Sequence, residues 1–195
     1  MANNIAVFLD RDGTINEEVG YVDNLDKLKI IPAAYEAIRL INSSRMKAIV
    51  VTNQSGVAKG FFTEEFLNLV NDSLQTALRQ KGAYIDNFYY CPHHPTEGIG
   101  IYLQQCNCRK PAPGMLFNAA QELNIDLTRS YLIGDRFRDM IAAKKAGVKG
   151  ILVKTGYDQD LLQDDGPDKE TAEAKPYFIA ADILEAVKWI LEDRE

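Results

Sequence analysis

The sequence feature that most constrains the fold is an apolar run at residues 5–9 that ends in two closely spaced aspartates. Asp10 and Asp12 follow the run directly, and Gly13 and Thr14 come next. Uninterrupted runs of Ile, Val and Phe are typical of strands buried on both faces of a parallel sheet. Carboxylates just past such a strand lie where open α/β sheets bind ligands. An acidic turn would give the same local pattern, because Asp and Gly are common turn residues.

Strand-like and helix-like segments alternate along the rest of the chain. Strands are predicted at residues 5–9, 47–52, 85–90, 131–133, 151–153 and 177–179, and helices at residues 32–44, 63–81, 113–123, 138–146 and from 182 onward. Thr63 and Asp182 are typical N-cap residues, and Pro32 suits a first helical turn. The alternation predicts an α/β fold: one doubly wound, Rossmann-like parallel sheet flanked by helices.

The second of these helices has an amphipathic pattern. Five of its apolar residues are expected on one face of the helix, and they are Phe66, Leu69, Val70, Leu74 and Leu78. Helical spacing of this kind predicts a stripe that packs on the sheet.

Length and charge limit the classes of function. The chain has 195 residues, which fits one domain spanning residues 1–195, and a net charge of -6. A nucleic-acid partner is not expected, because binding a phosphate backbone needs a basic face. We see no apolar run of about 18 residues for a membrane span and no signal peptide. The expected location is the cytoplasm, without a membrane partner, where the three cysteines would be thiolates and not disulfides.

Several predicted strand ends carry polar groups that would meet at one edge of the sheet. These groups are Asp10 and Asp12, Thr52 and Asn53, Lys110 after the third crossover, and Asp135. Each has an ordinary explanation when it is taken alone: a turn acid, a strand-end hydroxyl or a surface lysine. Their joint placement favours an active site. Asp10 and Asp135 offer the hard oxygen ligands that Mg²⁺ prefers.

The order Asp-x-Asp-Gly-Thr, a strand-end Thr, Lys, and Gly-Asp-x-x-x-Asp resembles the haloacid dehalogenase superfamily of phosphotransferases, over essentially the whole chain. The resemblance implies a Mg²⁺-dependent phosphatase in which Asp10 attacks phosphorus and forms an aspartyl-phosphate. Asp12 would protonate the leaving group and then deprotonate water, and its backbone carbonyl would bind the metal beside Asp10 and Asp135.

The remaining catalytic roles also follow from the resemblance. Thr52 and Lys110 would hold the phosphoryl oxygens as their charge redistributes in the transition state, with Asn53 and Arg109 beside them. Asp139 would orient Lys110 or a metal-bound water and would not bind the metal directly.

A second metal site is predicted in the loop at residues 91–108. Cys91, His93, Cys106 and Cys108 form two closely spaced pairs that can close a Cys₃His zinc site with no open position, which is typical of a structural zinc. His93 is preferred over His94 because it repeats the spacing of the second pair. Buried thiols beside solvent-exposed histidines are the alternative. Zinc here would brace the segment that carries the catalytic lysine.

The Cys-x-His and Cys-x-Cys-Arg-Lys-Pro run is similar to a zinc-containing branch of the superfamily, which includes heptose bisphosphate phosphatases and histidinol-phosphatases. DRDGTIN, VTNQSGVAKG and GDRxxD agree with that branch. The resemblance implies substrate contacts from Asp10, Arg11, Asp12, Glu18, Val19, Gly20, Tyr21, Thr52, Asn53, Gln54, Ser55, Arg109 and Lys110. Arg109 would bind a phosphate oxygen or a second phosphate through its planar guanidinium.

No connection is long enough to hold a separate cap domain, so we expect an open site for a small phosphorylated sugar or metabolite. A monomer is also expected. Within the branch that the sequence resembles, the favoured substrate is D-glycero-D-manno-heptose 1,7-bisphosphate, which would lose its 7-phosphate in the supply of sugars for surface polysaccharide. Histidinol phosphate is the alternative substrate, since Glu18 or Asp23 could form an ion pair with its positively charged amine. A phosphoprotein phosphatase and a non-catalytic phosphosugar sensor rank lower, and a sensor would be expected to lose Asp10 or Asp12. Whether residues 154–175 close over the site is left open.

Overall fold

The central feature of the fold is a six-stranded sheet in which every pairing is parallel. It is seen in a computed structural model that describes residues 4–156 and 174–194. The strand order is β3-β2-β1-β4-β5-β6. The strands are β1 (Ala6–Leu9), β2 (Lys47–Asn53), β3 (Asn87–Cys91), β4 (Tyr131–Gly134), β5 (Lys149–Val153) and β6 (Phe178–Ala180). The order reverses beside β1, so the first strand lies at the topological switch point.

Helices cover both faces of this sheet. They are α1 (Pro32–Ser43), α2 (Ser55–Ala58), α3 (Glu64–Arg79), α4 (Gly114–Leu123), α5 (Phe137–Ala146) and α6 (Ile183–Asp193). The predicted fold class is confirmed, and each predicted strand and helix is present within a few residues of its expected bounds. The short helix α2 was not predicted, because its sequence, SGVA, carries no helical apolar pattern.

Two predicted helix caps are present. The Thr63 side chain accepts a hydrogen bond from the Phe66 amide at 3.2 Å at the start of α3. Asp182 accepts from the amides of Leu184 and Glu185, both at 2.9 Å, at the start of α6. Each cap satisfies amide groups that lack partners within the helix.

The core is divided by the sheet into two layers. Val7 and Leu9 of β1 pack in one layer, which also receives α1, α3 and α6, whereas Phe8 packs in the other with α4 and α5. All four residues of β1 are fully buried, as expected for a central parallel strand. Among the five apolar residues predicted to share a face of α3, Leu69 is 48% exposed, whereas Leu67, which was not among them, is 1% exposed and lies in the core.

The long connections hold little regular structure. Within the described part of the chain they contain three 3₁₀ helices, at Leu25–Lys27, Gly100–Tyr102 and Leu127–Arg129, and no separate cap. Residues 157–173, which make up most of the predicted loop at 154–175, lie outside the described residues. Among the helices that are described, none has the length and apolar character needed to cross a bilayer.

Candidate active site

The carboxyl ends of three neighbouring strands meet at one edge of the sheet and carry the predicted catalytic residues. Asp10 follows β1, Thr52 and Asn53 lie at the end of β2, and Asp135 follows β4. The Asp10 amide donates to the Ile133 carbonyl at 2.9 Å, so the ladder between β1 and β4 continues up to this aspartate. Carboxylate oxygens of Asp10, Asp135 and Asp139 lie within 4.8 Å of one another.

Lys110 is the buried cation of this edge. Its side chain has no exposed surface, and its Nζ lies 3.0 Å from Asp10 Oδ1 and 2.7 Å from Asp139 Oδ1. Nζ also donates to the Val51 carbonyl at 2.8 Å. Burial disfavours the ammonium charge, but the two carboxylates outweigh it and raise the pKa of Lys110. Lys110 is therefore charged and fixed in direction.

Asp139 and Asn53 hold Lys110 in place. Asp139 accepts from the Arg136 amide through Oδ2 at 3.1 Å, while its Oδ1 lies beside the lysine. Both of its oxygens are thus engaged, which fits a residue that orients Lys110 better than a metal ligand. Asn53 bonds the Lys110 backbone twice, accepting from the amide at 3.0 Å and donating to the carbonyl at 2.9 Å.

Asp135 is a buried carboxylate whose one cationic neighbour among the described residues outside the lysine is distant, since Arg136 Nε lies 3.8 Å from its Oδ2. Its side chain is 1% exposed, and neither oxygen accepts a hydrogen bond from any residue that the structure describes. Burial, followed by repulsion from Asp10 and Asp139, raises the pKa of Asp135 to about 8. A buried charge that accepts no hydrogen bond is costly, and a cation bound between Asp135 and Asp10 would reduce that cost. These residues therefore fit Mg²⁺, which is bound in proteins by carboxylate oxygens.

The backbone comes close to Asp135 on one side. Gly13 has a φ of +79°, and a Cβ there would lie 2.5 Å from Asp135 Oδ2. A side chain at this position would be strained and would also fill the space beside the carboxylate. The glycine in the Asp-Gly-Thr sequence thus keeps the region around Asp135 open.

Asp12 is held as a carboxylate by three side chains. Arg11 Nη2 lies 3.0 Å from each of its oxygens, Asn16 donates to Oδ1 at 2.9 Å, and Gln54 donates to Oδ2 at 2.8 Å. Burial opposes the negative charge, but the Arg11 guanidinium and these hydrogen bonds outweigh it and lower the pKa of Asp12. Asp12 is therefore held in its charged carboxylate form.

A cavity of about 320 Å³ opens above this edge of the sheet. Its lining includes most of the predicted substrate contacts, which are Asp10, Asp12, Glu18, Gly20, Tyr21, Thr52, Asn53, Gln54, Ser55 and Arg109. Lys110 lies beneath it, in contact with Asp10. Arg11 and Val19 are not in the lining: Arg11 is 1% exposed and is engaged with Asp12, Asn71 and Gln54.

Five residues line the cavity without having been predicted as substrate contacts. They are Val22, Lys59, His94, Arg136 and Arg138. Lys59 and Arg136 lie inside two of the motifs that carried the resemblance, so a stricter use of those motifs would have included them. Arg138 occupies a variable position of GDRxxD, and nothing in the sequence distinguished it from a surface arginine.

The predicted zinc ligands converge at the end of β3. The Cys91, Cys106 and Cys108 sulfurs are separated by 3.1 to 3.5 Å, and His93 Nδ1 lies 3.4 Å from the Cys108 sulfur. Hydrogen bonds, the strongest from Cys91, lower the pKa of Cys108 to about 5. His94 Nδ1 instead accepts from the Glu97 amide at 2.9 Å, so this nitrogen has a partner outside the cluster. The donor set fits a tetrahedral Cys₃His metal site.

The loop that carries this cluster is attached to the cavity wall. Arg109 donates to the His93 carbonyl at 3.1 Å, and the Ile99 amide donates to the Ala58 carbonyl at 2.8 Å. The Tyr102 hydroxyl donates to Glu64 at 2.8 Å, at the start of α3. An ion held by the cluster would therefore stabilise the segment that precedes Lys110.

Comparison with known proteins gives consistent matches. A family model described as HAD-hydrolase-like matches residues 107–186. The chain is 46% identical over 152 residues to a D-glycero-beta-D-manno-heptose-1,7-bisphosphate 7-phosphatase from Pasteurella multocida, covering 77% of this chain and 82% of that protein. It is 43% identical to the protein of the same name from Escherichia coli K12, over 77% and 80% of the two chains.

The chain belongs to the haloacid dehalogenase-like phosphatases.

A solved structure from this superfamily agrees over nearly the full length. A D,D-heptose 1,7-bisphosphate phosphatase from B. bronchiseptica, complexed with magnesium and phosphate, superposes with a TM-score of 0.83 at 32% identity, covering 97% of this chain and 99% of that one. The predicted membership of the superfamily and of its heptose bisphosphate phosphatase branch is confirmed. The protein is an enzyme that hydrolyses phosphate monoesters.

Replacement of Lys110 tests how much its ion pairs with Asp10 and Asp139 contribute to stability. Lys110→Met leaves Asp10 and Asp139 buried without their cation, and we expect it to lower the free energy of unfolding by about 3–5 kcal/mol. Adding Asp139→Asn removes one of the two charges and should recover at least about 1 kcal/mol of that loss. Urea unfolding in the presence of EDTA measures both values.

The matched control is Lys81→Met, at an exposed lysine just after α3. It should change the free energy of unfolding by less than about 0.5 kcal/mol. If the double variant is no more stable than Lys110→Met, the two carboxylates do not share the lysine as the distances indicate.

Proposed function

We propose that the protein is a Mg²⁺-dependent phosphatase that removes the 7-phosphate of D-glycero-D-manno-heptose 1,7-bisphosphate. The observation that carries the metal requirement is Asp135, a buried carboxylate that accepts no hydrogen bond from the described residues, beside an Asp10 that contacts Lys110. The names of the relatives support the substrate, and the open cavity supports a small one.

Asp10 is the proposed nucleophile. Its Oδ1 accepts from the Arg11 amide at 2.8 Å and lies 3.0 Å from Lys110 Nζ, so the carboxylate has a fixed direction. Attack on phosphorus forms an aspartyl-phosphate and releases the sugar alkoxide, which divides one difficult displacement into two easier steps. Lys110 and the Thr52 hydroxyl, which are both buried, would hold the phosphoryl oxygens through each step.

Asp12 is the proposed acid and base. In the first step it would give a proton to the leaving oxygen, and in the second it would take a proton from the attacking water. Its present hydrogen bonds favour the carboxylate, so the acid role requires an approaching phosphate to raise its pKa. Gln54 would couple Asp12 to the phosphoryl site, since it donates to both Asp12 and Thr52.

The proposed Mg²⁺ ligands are Asp10 and Asp135 with the backbone carbonyl of Asp12. Bound there, Mg²⁺ would supply the positive charge that lets a carboxylate approach a dianionic phosphate. Asp139 would act only through Lys110, because both of its oxygens are engaged.

Histidinol phosphate is the second candidate substrate. Glu18 lines the cavity and could bind an amine, but Asp23 is not in the lining and pairs with Lys27 at 2.7 Å. The lining carries four cationic side chains, Lys59, Arg109, Arg136 and Arg138. Lys59 and Arg136 have acidic neighbours, but Arg109 and Arg138 form no ion pair with a described carboxylate, and these two charges favour a bisphosphate over a substrate with a cationic amine. We place the reaction in the cytoplasm and in a monomer.

The substrate should be decided by Mg²⁺-dependent phosphate release from heptose 1,7-bisphosphate, as both anomers, and from histidinol phosphate. We expect kcat/KM to be at least tenfold higher for the bisphosphate, because it brings a second dianion to a cationic cavity. A preference for histidinol phosphate would overturn the proposed substrate and leave the proposed chemistry standing.

Asp10→Asn tests the proposed nucleophile. We expect phosphate release to fall by more than about a thousandfold, while the thermal midpoint stays the same or rises, because a buried carboxylate is lost. Asp23→Asn, at an exposed aspartate, is the matched control and should retain activity. Turnover near the native rate in Asp10→Asn would exclude an aspartyl-phosphate at this residue.

We also propose that the loop binds zinc, and variants of the adjacent residues His93 and His94 test this. His93→Gln should lose bound zinc and lower the thermal midpoint, because its Nδ1 lies in the cysteine cluster. His94→Gln should keep one zinc per chain, because its Nδ1 accepts from a loop amide. Elemental analysis of the purified variants measures both. Equal zinc content in the two variants would contradict the proposed ligand set.

A further inference from the structure

The cationic side chains of the cavity differ in whether they have an acidic partner. Lys59 forms an ion pair with Glu97 at 2.5 Å, and Arg136 lies 3.9 Å from Glu18. Arg109 and Arg138 form no ion pair with any carboxylate in the described part of the chain. Their charges are thus the ones available for a ligand.

Arg138 is also only partly satisfied by hydrogen bonds. Its Nε is buried and has no hydrogen-bond partner among the residues that the structure describes. Arg109 donates through Nη1 to the His93 carbonyl, which is neutral. Arg109 and Arg138 both line the same cavity, so their like charges repel each other. This repulsion is relieved when an anion lies between the two guanidinium groups.

The positions of the two arginines follow from the buried ion pair beneath them. Arg109 precedes Lys110, and Arg138 precedes Asp139, and those second residues lie 2.7 Å apart. Successive side chains of a helix point about 100° apart, so Arg138 does not share the direction of Asp139 toward Lys110. The arginines therefore line the cavity beside the reaction centre, while the lysine and aspartate form its base.

We propose that Arg138 is a specificity-determining residue that, together with Arg109, binds the phosphate group of the substrate that is not transferred. The inference rests on the proposed bisphosphatase function and adds a residue to it. Two guanidinium groups match the charge of one phosphate monoester dianion, and each can donate two parallel hydrogen bonds to it. The transferred group has other partners, Thr52 and Lys110, at the end of β2 and in the base of the cavity.

The test compares two substrates that differ by one phosphate, heptose 1,7-bisphosphate and heptose 7-phosphate, in the native protein and in Arg138→Gln. We expect Arg138→Gln to lower the ratio of the two kcat/KM values, bisphosphate over monophosphate, by at least tenfold, mainly through a higher KM for the bisphosphate. Arg138→Lys keeps the charge but loses the planar guanidinium. Its ratio should lie between those of the native protein and Arg138→Gln. Arg129→Gln, at an exposed arginine outside the cavity, should leave the ratio unchanged.

Two results would overturn the role of Arg138. An unchanged ratio would exclude it, and an equal loss on both substrates would assign Arg138 to the transferred phosphate or to the fold. If Arg138→Gln does not fold, an Arg138→Lys variant with the native ratio excludes the role in the same way. The proposed function fails separately: in that case the native protein itself shows no preference for the bisphosphate, whatever residue occupies position 138.

Discussion

The buried ion pairs of Lys110 are the interaction on which the rest of the site depends. One ammonium group lies 3.0 Å from Asp10 and 2.7 Å from Asp139, with no exposed surface on the lysine. Such a group is tolerated in a protein interior only when its partners are fixed, because each unpaired ion would cost several kcal/mol. The surrounding structure provides that fixation: Asn53 holds the lysine backbone, and the start of α5 holds Asp139.

The same edge of the sheet separates two kinds of carboxylate. Asp12 is surrounded by donors and has a lowered pKa, whereas Asp135 has no described donor and a raised one. The two aspartates thus have different pKa values because their surroundings differ. Asp12 is suited to proton transfer and Asp135 to a cation. The parallel sheet makes this possible, because it brings several strand ends to one edge while their side chains meet different neighbours.

The loop at residues 91–108, which carries the cysteine cluster, contributes to the site by positioning other residues. It connects β3 to the segment that carries Arg109 and Lys110, and it is bonded to α2 and α3 as well. A metal held by four side chains of this loop would limit its motion. The cavity wall and the buried Lys110 would then be positioned by one cross-linked segment, although the cysteine cluster itself does not line the cavity.

The sequence alone determined the fold class, the strand that carries Asp10 and the order of the polar strand ends, because apolar runs and helical spacing are local patterns. It also predicted the cysteine cluster, whose residues lie close together in the chain. It did not reveal α2, the exposure of Leu69, the engagement of Arg11 with Asp12, or the arrival of Arg138 in the cavity. Those features depend on the direction of each side chain and on which distant segments pack beside it. Only the tertiary structure decides them, because an arginine on one face of a helix is solvated at the surface, whereas an arginine on another face lines the cavity.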